Sequence, residues 1–345
     1  MRSARSPGST HHHSGSWKYE IRFQSKRGGE SLEGGGQNEN YTTIYVDSSG
    51  QGNYQTIQAA IDSVPADNKD WICIHIKAGT YREQVRIPSE KPYLYLKGES
   101  QRRTVVIWDG HDSIQKATFS CDAENILVKS ITFINSYNYP PENSTNPRRV
   151  AVAAKLSGDK MAFHRCGFRG WQDTLWDEGG RHYFKGCSIS GAVDFIFGNG
   201  QSIYESCSIS VERGAEEGMI GYITAQGRQD PGESSGFVFK KCTVHGSGEA
   251  YLGRPWRDYA RVIFFKTYMD NMIVPQGWTT SSDTSSNLDK LTFAEQECSG
   301  PGAERSGRVK WVAELRGDEL DKFTSLSYID EDGWLRGLPQ NKLFV

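Results

Sequence analysis

The sequence predicts an all-β fold, a right-handed parallel β-helix (solenoid) with an N-terminal capping helix and a helical C-terminal tail. The interval from Asp173 to Asp194 equals the interval from Cys166 to Cys187 beside them. Cys207 follows Cys187 at nearly the same interval, again within a short β-rich phrase. A repeat of about 20 residues is typical of a coiled stack of strands. Side chains one repeat apart would then lie above one another at the strand spacing of roughly 4.8 Å.

The first ordered elements are expected after a long polar segment. Residues 1–40 are rich in glycine and serine and show no periodicity, which predicts a disordered polar leader. Thr42–Val46 has the composition of a strand. Residues Tyr54–Val64 carry one apolar face at helical spacing and end before Pro65, which predicts a helix. A helix at this point would cap the exposed first coil.

Short strands recur from Trp71 onward, separated by glycine and asparagine turns. The tail is different, because Val309–Leu315 and Glu319–Leu326 are amphipathic or mixed and would pack across the coils. Residues 41–345 are therefore predicted to form a single β-helix domain. A β-sandwich is the main competitor, but it does not predict equal spacing of the aspartates and the cysteines. The predicted strands are Ile72–Ile76, Val85–Ile87, Tyr93–Leu96, Thr104–Ile107, Ala117–Ser120, Ile126–Phe133 and Val150–Leu156.

Charge and composition exclude several classes of partner. The formal net charge is −2, from 40 basic and 42 acidic residues, so neither nucleic acid nor an anionic membrane surface is expected as a partner. No apolar run is long enough to span a bilayer. The amino end shows no apolar secretory segment, so either a presequence is absent from this version of the chain or the protein is not secreted.

The seven cysteines leave two alternatives open. Cys166 and Cys187 on adjacent coils could form a disulfide, which would indicate an oxidising compartment, or they could stack as small buried hydrophobic side chains. Two sequences, beginning at Asn40 and at Asn143, match the N-glycosylation pattern, which matters only for an exported protein.

Four ordered motifs make the sequence similar to a known family. They are Gly79–Glu83 (GTYRE), Gln172–Leu175 (QDTL), Gly191–Gly198 (GAVDFIFG) and Leu252–Trp256 (LGRPW). The chain resembles the plant pectinesterases (pectin methylesterases) from about Thr42 to Trp334. The resemblance implies the same β-helix fold and hydrolysis of the methyl esters of galacturonate in cell-wall pectin, with release of methanol and without a metal or organic cofactor. It further implies a secreted, monomeric protein of the plant cell wall, with methyl-esterified pectin and a proteinaceous pectinesterase inhibitor as partners.

The resemblance also assigns roles position by position. Asp194 resembles the nucleophile and Asp173 the acid/base, and Gln172 resembles the amide that stabilises the tetrahedral oxyanion. Arg254 is similar to the arginine beside the nucleophile, and Trp256 to a tryptophan that supports a sugar ring. Ser113 resembles a further, substrate-binding position. The family has a threonine there, and the serine keeps its hydroxyl group. The physical logic agrees, because a guanidinium favours an ionised nucleophile, whereas burial and a charged neighbour raise the pKa of the acid.

Two positions, Gln172 and Val150, do not follow the simple pattern. Strict strand alternation would point Gln172 away from the face of Asp173, unless a bend or bulge intervenes. The same alternation sends Phe195 and Phe197 opposite to Asp194, into the core. The family glutamine that supplies a second oxyanion donor is Val150 here, within Val150–Ala153. Losing one donor could slow the chemistry about 10²–10³-fold, so the alternative is a catalytically weakened or inactive pectin-binding wall protein.

Rival chemistries find less support. Gly232–Gly236 matches the nucleophile pattern of serine esterases, but a strand rather than a helix follows it, so a loop is expected. The scattered histidines show no metal-ligand spacing, so no metal site is expected. A polysaccharide lyase would need Ca²⁺ ligands, and an inverting glycosidase would need carboxylates about 6.5–9.5 Å apart. Adjacent coils place the two aspartates closer than that.

Overall fold

Each coil of the chain contributes one strand to each of three parallel sheets. The computed structural model describes residues 41–141, 143–213, 218–280 and 288–343, and the predicted leader 1–40, which includes Asn40, lies outside them. All described residues fall within one contiguous unit, Glu39–Val345. The chain passes repeatedly from a ten-stranded sheet to an eight-stranded sheet and then to a seven-stranded sheet, as counted over the described residues. The prediction of a parallel β-helix is therefore confirmed.

The strands have the following bounds. The ten-stranded sheet contains β1 (Thr42–Val46), β2 (Ile72–Ile76), β5 (Leu94–Gly98), β8 (Ile126–Lys129), β11 (Met161–His164), β14 (Arg181–Lys185), β17 (Gln201–Glu205), β20 (Gly236–Lys240), β23 (Arg261–Phe265) and β25 (Thr292–Gln296). The eight-stranded sheet contains β3 (Gly79–Tyr81), β6 (Thr104–Trp108), β9 (Thr132–Asn135), β12 (Gly167–Arg169), β15 (Ser188–Gly191), β18 (Ser208–Val211), β21 (Thr243–Gly246) and β24 (Tyr268–Met269). The seven-stranded sheet contains β4 (Val85–Ile87), β7 (Phe119–Cys121), β10 (Ala154–Leu156), β13 (Leu175–Asp177), β16 (Ile196–Gly198), β19 (Ile220–Gln226) and β22 (Glu249–Pro255).

The predicted strands agree with these bounds except where a corner interrupts them. The run 126–133 is two strands, β8 and β9, because Ser130 adopts a left-handed conformation (φ 57°) and turns the chain. The run 150–156 is a strand only from Ala154 onward. Hydrophobic composition alone does not reveal such corners.

The predicted capping helix is present as α1 (Ile57–Ser63), shorter than Tyr54–Val64. The Thr56 hydroxyl caps it by accepting a hydrogen bond from the amide of Ala59 at 3.2 Å. Ile57, Ala60 and Ile61 are fully buried and join the main core. The helix thus covers the first coil with its apolar face.

The tail is helical only in short pieces. It contains α2 (Asp318–Thr324), whereas the segment 309–315, predicted as amphipathic or mixed, is irregular. Tail side chains such as Leu315, Phe323 and Trp334 pack on the outer face of the ten-stranded sheet, against Tyr95 and Tyr183, as the sequence predicted. Single 3-10 turns occur at Leu288–Lys290, Pro301–Ala303, Leu326–Tyr328, Trp334–Gly337 and Asn341–Leu343.

The interior is built from stacks of like side chains. Phe184 and Tyr204 stack at 4.5 Å between ring centroids, and Tyr204 and Phe239 continue the column at 4.6 Å. The seven cysteines are free thiols, and Cys187 and Cys207 belong to a buried ladder in which each Sγ contacts a carbonyl of the preceding coil. Of the two alternatives for the cysteines, the structure therefore contains the ladder.

None of the helices in the described ranges combines the length and the apolar character that a membrane-spanning helix requires.

Candidate active site

The two aspartates lie side by side at the amino ends of neighbouring strands of the seven-stranded sheet. Asp173 precedes β13 and Asp194 precedes β16, and these strands pair in parallel with Leu175 opposite Ile196. The bridge between Gln172 and Val193 extends this pairing by one step toward the aspartates. The amide of Asp173 donates to the carbonyl of Val193 at 3.0 Å. The interval between the two aspartates is thus one full coil, as the sequence predicted.

Both aspartates have a left-handed backbone conformation, with φ of 58° at Asp173 and 47° at Asp194. Aspartate tolerates this conformation better than most residues with a side chain. The left-handed residue turns the chain from the eight-stranded sheet into the seven-stranded sheet, and normal alternation starts again within β13 and β16. This is the bend that the alternation argument required between Gln172 and Asp173.

Arg254 on β22 binds the carboxylate of Asp194 with two nitrogen atoms. Its Nε donates to Oδ1 at 2.9 Å, and its Nη2 donates to Oδ2. The guanidinium carbon lies 4.3 Å above the ring of Tyr222, which in turn stacks on Tyr251. The hydrogen bonds to Asp194 raise the pKa of Arg254 above its usual value. A planar fork of this kind fixes both oxygen atoms of the partner carboxylate.

Asp173 occupies a different electrostatic environment. Burial, and then the neighbouring Asp194 carboxylate, raise the pKa of Asp173 to about 7, while Arg254 opposes the shift. A carboxyl group of this kind can hold a proton near neutral pH and still release it. Two carboxyl groups one strand apart therefore differ in what they can do: one is paired with a cation, and the other retains a proton.

An apolar patch borders the aspartates on the outer face of the same sheet. We define it as Ala117, Val152, Trp176, Phe197 and Ala225, against which Ile114 and Val150 pack. Trp176 and Phe197 stack at 5.6 Å between ring centroids, and the ammonium of Lys155 lies 4.8 Å from the Trp176 ring centroid. Val150 thus contributes an apolar side chain to the edge of this patch.

Phe195 lies in the main core, as predicted, but Phe197 does not. Phe197 is buried as predicted, but it lies in the apolar patch on the outer face instead of the main core. Strand alternation begins again at Ile196, which points inward, so the next side chain points outward.

Trp256 is 41% exposed and lies at the end of this patch. Its ring centroid is 5.9 Å from that of Phe197, and its amide donates to the carbonyl of Gln226 at 3.0 Å. A side chain at Gly227 would meet the indole at 2.9 Å, so this glycine makes room for the ring. The arrangement presents an aromatic face to solvent beside the aspartates.

Two other sequence features lie farther from the aspartates. Ser113 is half-buried in the turn before β7, where its hydroxyl accepts a hydrogen bond from the amide of Gln115 at 3.2 Å. The neighbouring Ile114 packs against the apolar patch, which places the Ser113 turn at its edge. Ser234 of the Gly232–Gly236 motif lies in a turn and donates to the Gln201 side chain at 2.6 Å, and β20 follows it. The expected loop is therefore confirmed.

A buried polar network behind Trp176 was not predicted. Asp177 points inward from β13 and accepts hydrogen bonds from His182 Nδ1 and from the Tyr204 hydroxyl, both at 2.6 Å. His182 Nε2 lies 2.8 Å from the carbonyl of Gly158, so both ring nitrogens face acceptors. Burial alone would lower the pKa of His182, but the Asp177 carboxylate, together with the Gly158 carbonyl and Asp159, outweighs burial and raises that pKa. A substituent at Gly200 would meet the carboxylate at 2.0 Å, so a glycine is required there.

The described residues hold no group of three or more His, Cys, Asp or Glu side chains arranged to bind a metal ion. The chemistry that the site offers comes from the two carboxyl groups and the guanidinium. Gln172 directly precedes Asp173, and its backbone bridges to Val193.

Comparison with known proteins decides the family. The sequence pattern of the Pectinesterase family matches residues 43–332. The chain belongs to the pectinesterase family. It is 52% identical over 300 residues to "Probable pectinesterase 29" of Arabidopsis thaliana, covering 86% of this chain and 89% of that protein. It is 50% identical over 300 residues to "Probable pectinesterase 55" of the same plant, covering 86% of this chain and 91% of that protein.

Solved structures of pectin methylesterases share the fold of this pectinesterase-family chain. The carrot enzyme superposes with a TM-score of 0.79 at 31% identity, covering 89% of this chain and 97% of that one. A pectin methylesterase solved in complex with a hexasaccharide superposes with a TM-score of 0.71 at 26% identity, covering 83% of this chain and 96% of that one. These likenesses support the right-handed form of the parallel β-helix.

Proposed function

We propose that this pectinesterase-family chain hydrolyses the methyl esters of galacturonate in cell-wall pectin and releases methanol. The observation that carries the proposal is the pair of aspartates one coil apart, of which Arg254 binds Asp194 while burial and repulsion raise the pKa of Asp173. Family membership supports the substrate, and a hexasaccharide bound to a structural relative supports binding of an extended sugar chain.

In the proposed first step Asp194 attacks the ester carbonyl. One carboxylate oxygen of Asp194 forms a bond to the carbonyl carbon, and a tetrahedral oxyanion results. When this intermediate collapses, the bond to the methoxy oxygen breaks, and Asp173 donates its proton to the departing methanol. The product is a mixed anhydride between Asp194 and the galacturonate, together with an ionised Asp173.

In the second step water cleaves the anhydride. Asp173, now ionised, accepts a proton from the attacking water, which restores the carboxylate of Asp194 and leaves a free galacturonate carboxyl group. Asp173 then holds the proton that the next turnover needs. A pKa of about 7 suits a group that acts first as acid and then as base.

Gln172 is the proposed donor to the tetrahedral oxyanion. One such donor contributes roughly 2.7–4 kcal/mol of transition-state stabilisation in other enzymes. Trp256 is the proposed platform for a sugar ring, because its exposed indole lies at the end of the apolar patch. Ser113 is proposed to contact the sugar chain at the edge of the same patch.

Val150 favours a second candidate function. The site has an apolar side chain where the family pattern places an amide, and Val150 packs against the apolar patch. In this second candidate the chain binds pectin in the wall but turns it over weakly or not at all. Secretion to the plant cell wall, glycosylation at the exposed Asn143, a monomeric state and binding of a proteinaceous inhibitor are further proposals that rest on the family.

Methanol release tests the proposed function. Purified wild type and Asp194→Asn are given methylated pectin, with and without a chelator. The proposal expects methanol from the wild type in both conditions and a loss of about 10⁴-fold or more in Asp194→Asn. Pectin binding without methanol release would establish the second candidate instead. Activity that survives Asp194→Asn would exclude the proposed nucleophile.

A further inference from the structure

Basic side chains form a row on the outer face of the ten-stranded sheet, away from the candidate active site. Lys97 on β5 is opposite Lys129 on β8, Lys129 is opposite His164 on β11, and His164 is opposite Lys185 on β14. The row continues through Glu205 to Lys240. Because neighbours in register lie one strand apart, successive residues of the row follow one another at roughly 4.8 Å along the axis of the coils. The lysines of the row are therefore one or two strands apart, with His164 and Glu205 between them.

Two further cations lie at the corner that follows this row. Arg165 comes directly after His164, and Lys241 directly after Lys240; both are exposed and both have a left-handed backbone. We define the basic strip as Lys97, Lys129, Arg165, Lys185, Lys240 and Lys241. Within the described ranges, no ion pair joins Lys97, Arg165 or Lys185 to a carboxylate.

The tail borders the strip without covering its middle. Lys129 donates to the Gln340 side chain at 2.8 Å, and Lys240 donates to the carbonyl of Thr324 at 2.9 Å. The tail carboxylate Asp332 pairs with Lys160 and Arg181, at the opposite ends of the strands. Asp332 is therefore paired with cations outside the strip.

Cations of the strip act together on the buried side chain of His164. Burial, and then the cations Lys129, Arg165 and Lys185, lower the pKa of His164 to about 4. Three cations near one buried imidazole reflect a local excess of positive charge on a chain whose formal net charge is −2. Glu205 is the carboxylate within the row, and it accepts a hydrogen bond from the Tyr183 hydroxyl. One carboxylate does not balance the six cations of the strip, so an anionic ligand would find a favourable surface here.

We propose that the basic strip binds a polyuronate chain, the de-esterified form of pectin, at a site separate from the aspartates. The choice of a uronate polymer rests on the proposed function, since each hydrolysed ester leaves one carboxylate on one sugar ring. A linear polyanion with a charge on every ring can follow cations that recur along the axis of the coils at intervals of one or two strands. Tyr45, 47% exposed, continues the row beyond His75 and offers a ring on which a sugar can stack. The strip would retain the protein on the product of its own reaction.

The test compares two triple variants with the same change in net charge. Lys97→Gln, Arg165→Gln and Lys185→Gln remove the three strip cations that no ion pair joins to a carboxylate within the described residues. Lys69→Gln, Lys310→Gln and Arg316→Gln remove three exposed cations elsewhere. All binding measurements use the Asp194→Asn background, so that no probe is altered by turnover. The probes are de-esterified polygalacturonate, fully methylated pectin, and vesicles of phosphatidylserine and phosphatidylcholine, each titrated at several salt concentrations.

We expect the parent protein to bind polygalacturonate in a salt-sensitive manner and to bind methylated pectin more weakly through this surface. The strip variant should lose roughly 5- to 50-fold in polygalacturonate affinity at low salt, and the control variant less than about 2-fold. If the triple strip variant does not fold, the double variant Lys97→Gln, Lys185→Gln should show a smaller loss of the same sign. Equal losses in strip and control variants, or tighter binding to the anionic vesicles than to polygalacturonate, would overturn the proposal.

A separate readout distinguishes this proposal from the proposed function. In the wild-type background, both triple variants should release methanol from a short methylated oligogalacturonate at the parent rate, because the strip lies on another sheet. If the wild type releases no methanol while the strip still binds polygalacturonate, only the proposed function fails. If methanol is released but the strip variant binds as the control does, only the strip proposal fails.

Discussion

Arg254 holds the carboxylate of Asp194 from two strands away, across 60 residues of sequence, while Asp173 on the neighbouring coil remains next to both. The guanidinium can pair with one carboxylate in a planar, two-nitrogen geometry. The other carboxyl group is then left buried beside a negative charge, which favours its protonated form. This asymmetry gives two identical side chains different chemical roles.

The pH dependence of the reaction should report the proton on Asp173. As the proposed acid of the first step, Asp173 must be protonated in the free enzyme, so kcat/KM should fall about tenfold per pH unit above a pKa of about 7. Initial rates of methanol release across pH would measure this fall of kcat/KM, the alkaline limb of the profile. Asp332→Asn is the matched control, because hydrogen bonds from Arg181 and Lys160 lower the pKa of Asp332 to about 2 and its loss should leave the limb in place. A flat profile through pH 7 would contradict the assignment.

Replacing Asp173 should stabilise the fold at alkaline pH. The folded pKa is raised from 3.8 to about 7, so the folded state binds more protons than the unfolded state between these values, and stability declines as pH rises through them. Asp173→Asn removes the buried charge and should raise the free energy of unfolding at pH 8 by about 2–4 kcal/mol, with little change below pH 4. Urea unfolding at the two pH values measures the difference. An equal change in the free energy of unfolding at both pH values would show that the Asp173 carboxyl group titrates normally.

Restoring the amide at position 150 should speed the chemical step. Val150→Gln supplies a second donor to the oxyanion and should raise kcat by up to about 10²-fold, with a smaller change in KM. The polar side chain would also face the apolar patch, which should cost about 1 kcal/mol of stability. Val150→Thr is the control, since threonine adds a polar group but its side chain is shorter than that of glutamine. An unchanged kcat in the glutamine variant would show that another group already fills this role.

The buried pair of Asp177 and His182 should be important for stability. His182→Gln leaves the fully buried Asp177 carboxylate without a cationic partner, and we expect a loss of about 3–5 kcal/mol in the free energy of unfolding. The double variant Asp177→Asn, His182→Gln should recover part of this loss, because no unpaired charge remains. Chemical unfolding of both variants measures the effect. If the double variant is less stable than His182→Gln by as much as Asp177→Asn alone destabilises the wild type, the explanation is wrong.

The sequence predicted the fold class and the pairing of the aspartates for the same physical reason. In a stack of coils the repeat length sets the register, so equal intervals along the chain place Asp173 beside Asp194 and Cys166 beside Cys187. The left-handed corners are not visible in hydrophobic patterns, because they depend on single φ angles. This is why the sequence analysis predicted an inward direction for Phe197, whereas its side chain points outward.

Contacts between distant parts of the chain were the least predictable. The inward Asp177 was not expected to meet His182 and Tyr204, because a carboxylate next to a tryptophan in a strand carries no signal of burial. The basic strip also becomes visible only in the structure, since its members are scattered over residues 97–241 and only the register aligns them.

The central claim is that Asp173 carries a proton near neutral pH beside the Asp194 carboxyl group that Arg254 binds. Infrared difference spectra between wild type and Asp173→Asn, taken from about pH 4 to about pH 9, would resolve the carboxyl stretch of Asp173. We predict a protonated carboxyl band that disappears with a midpoint near pH 7, and a lower midpoint in Asp194→Asn because the repelling charge is gone. A band that disappears near pH 4 in the wild type would contradict the account.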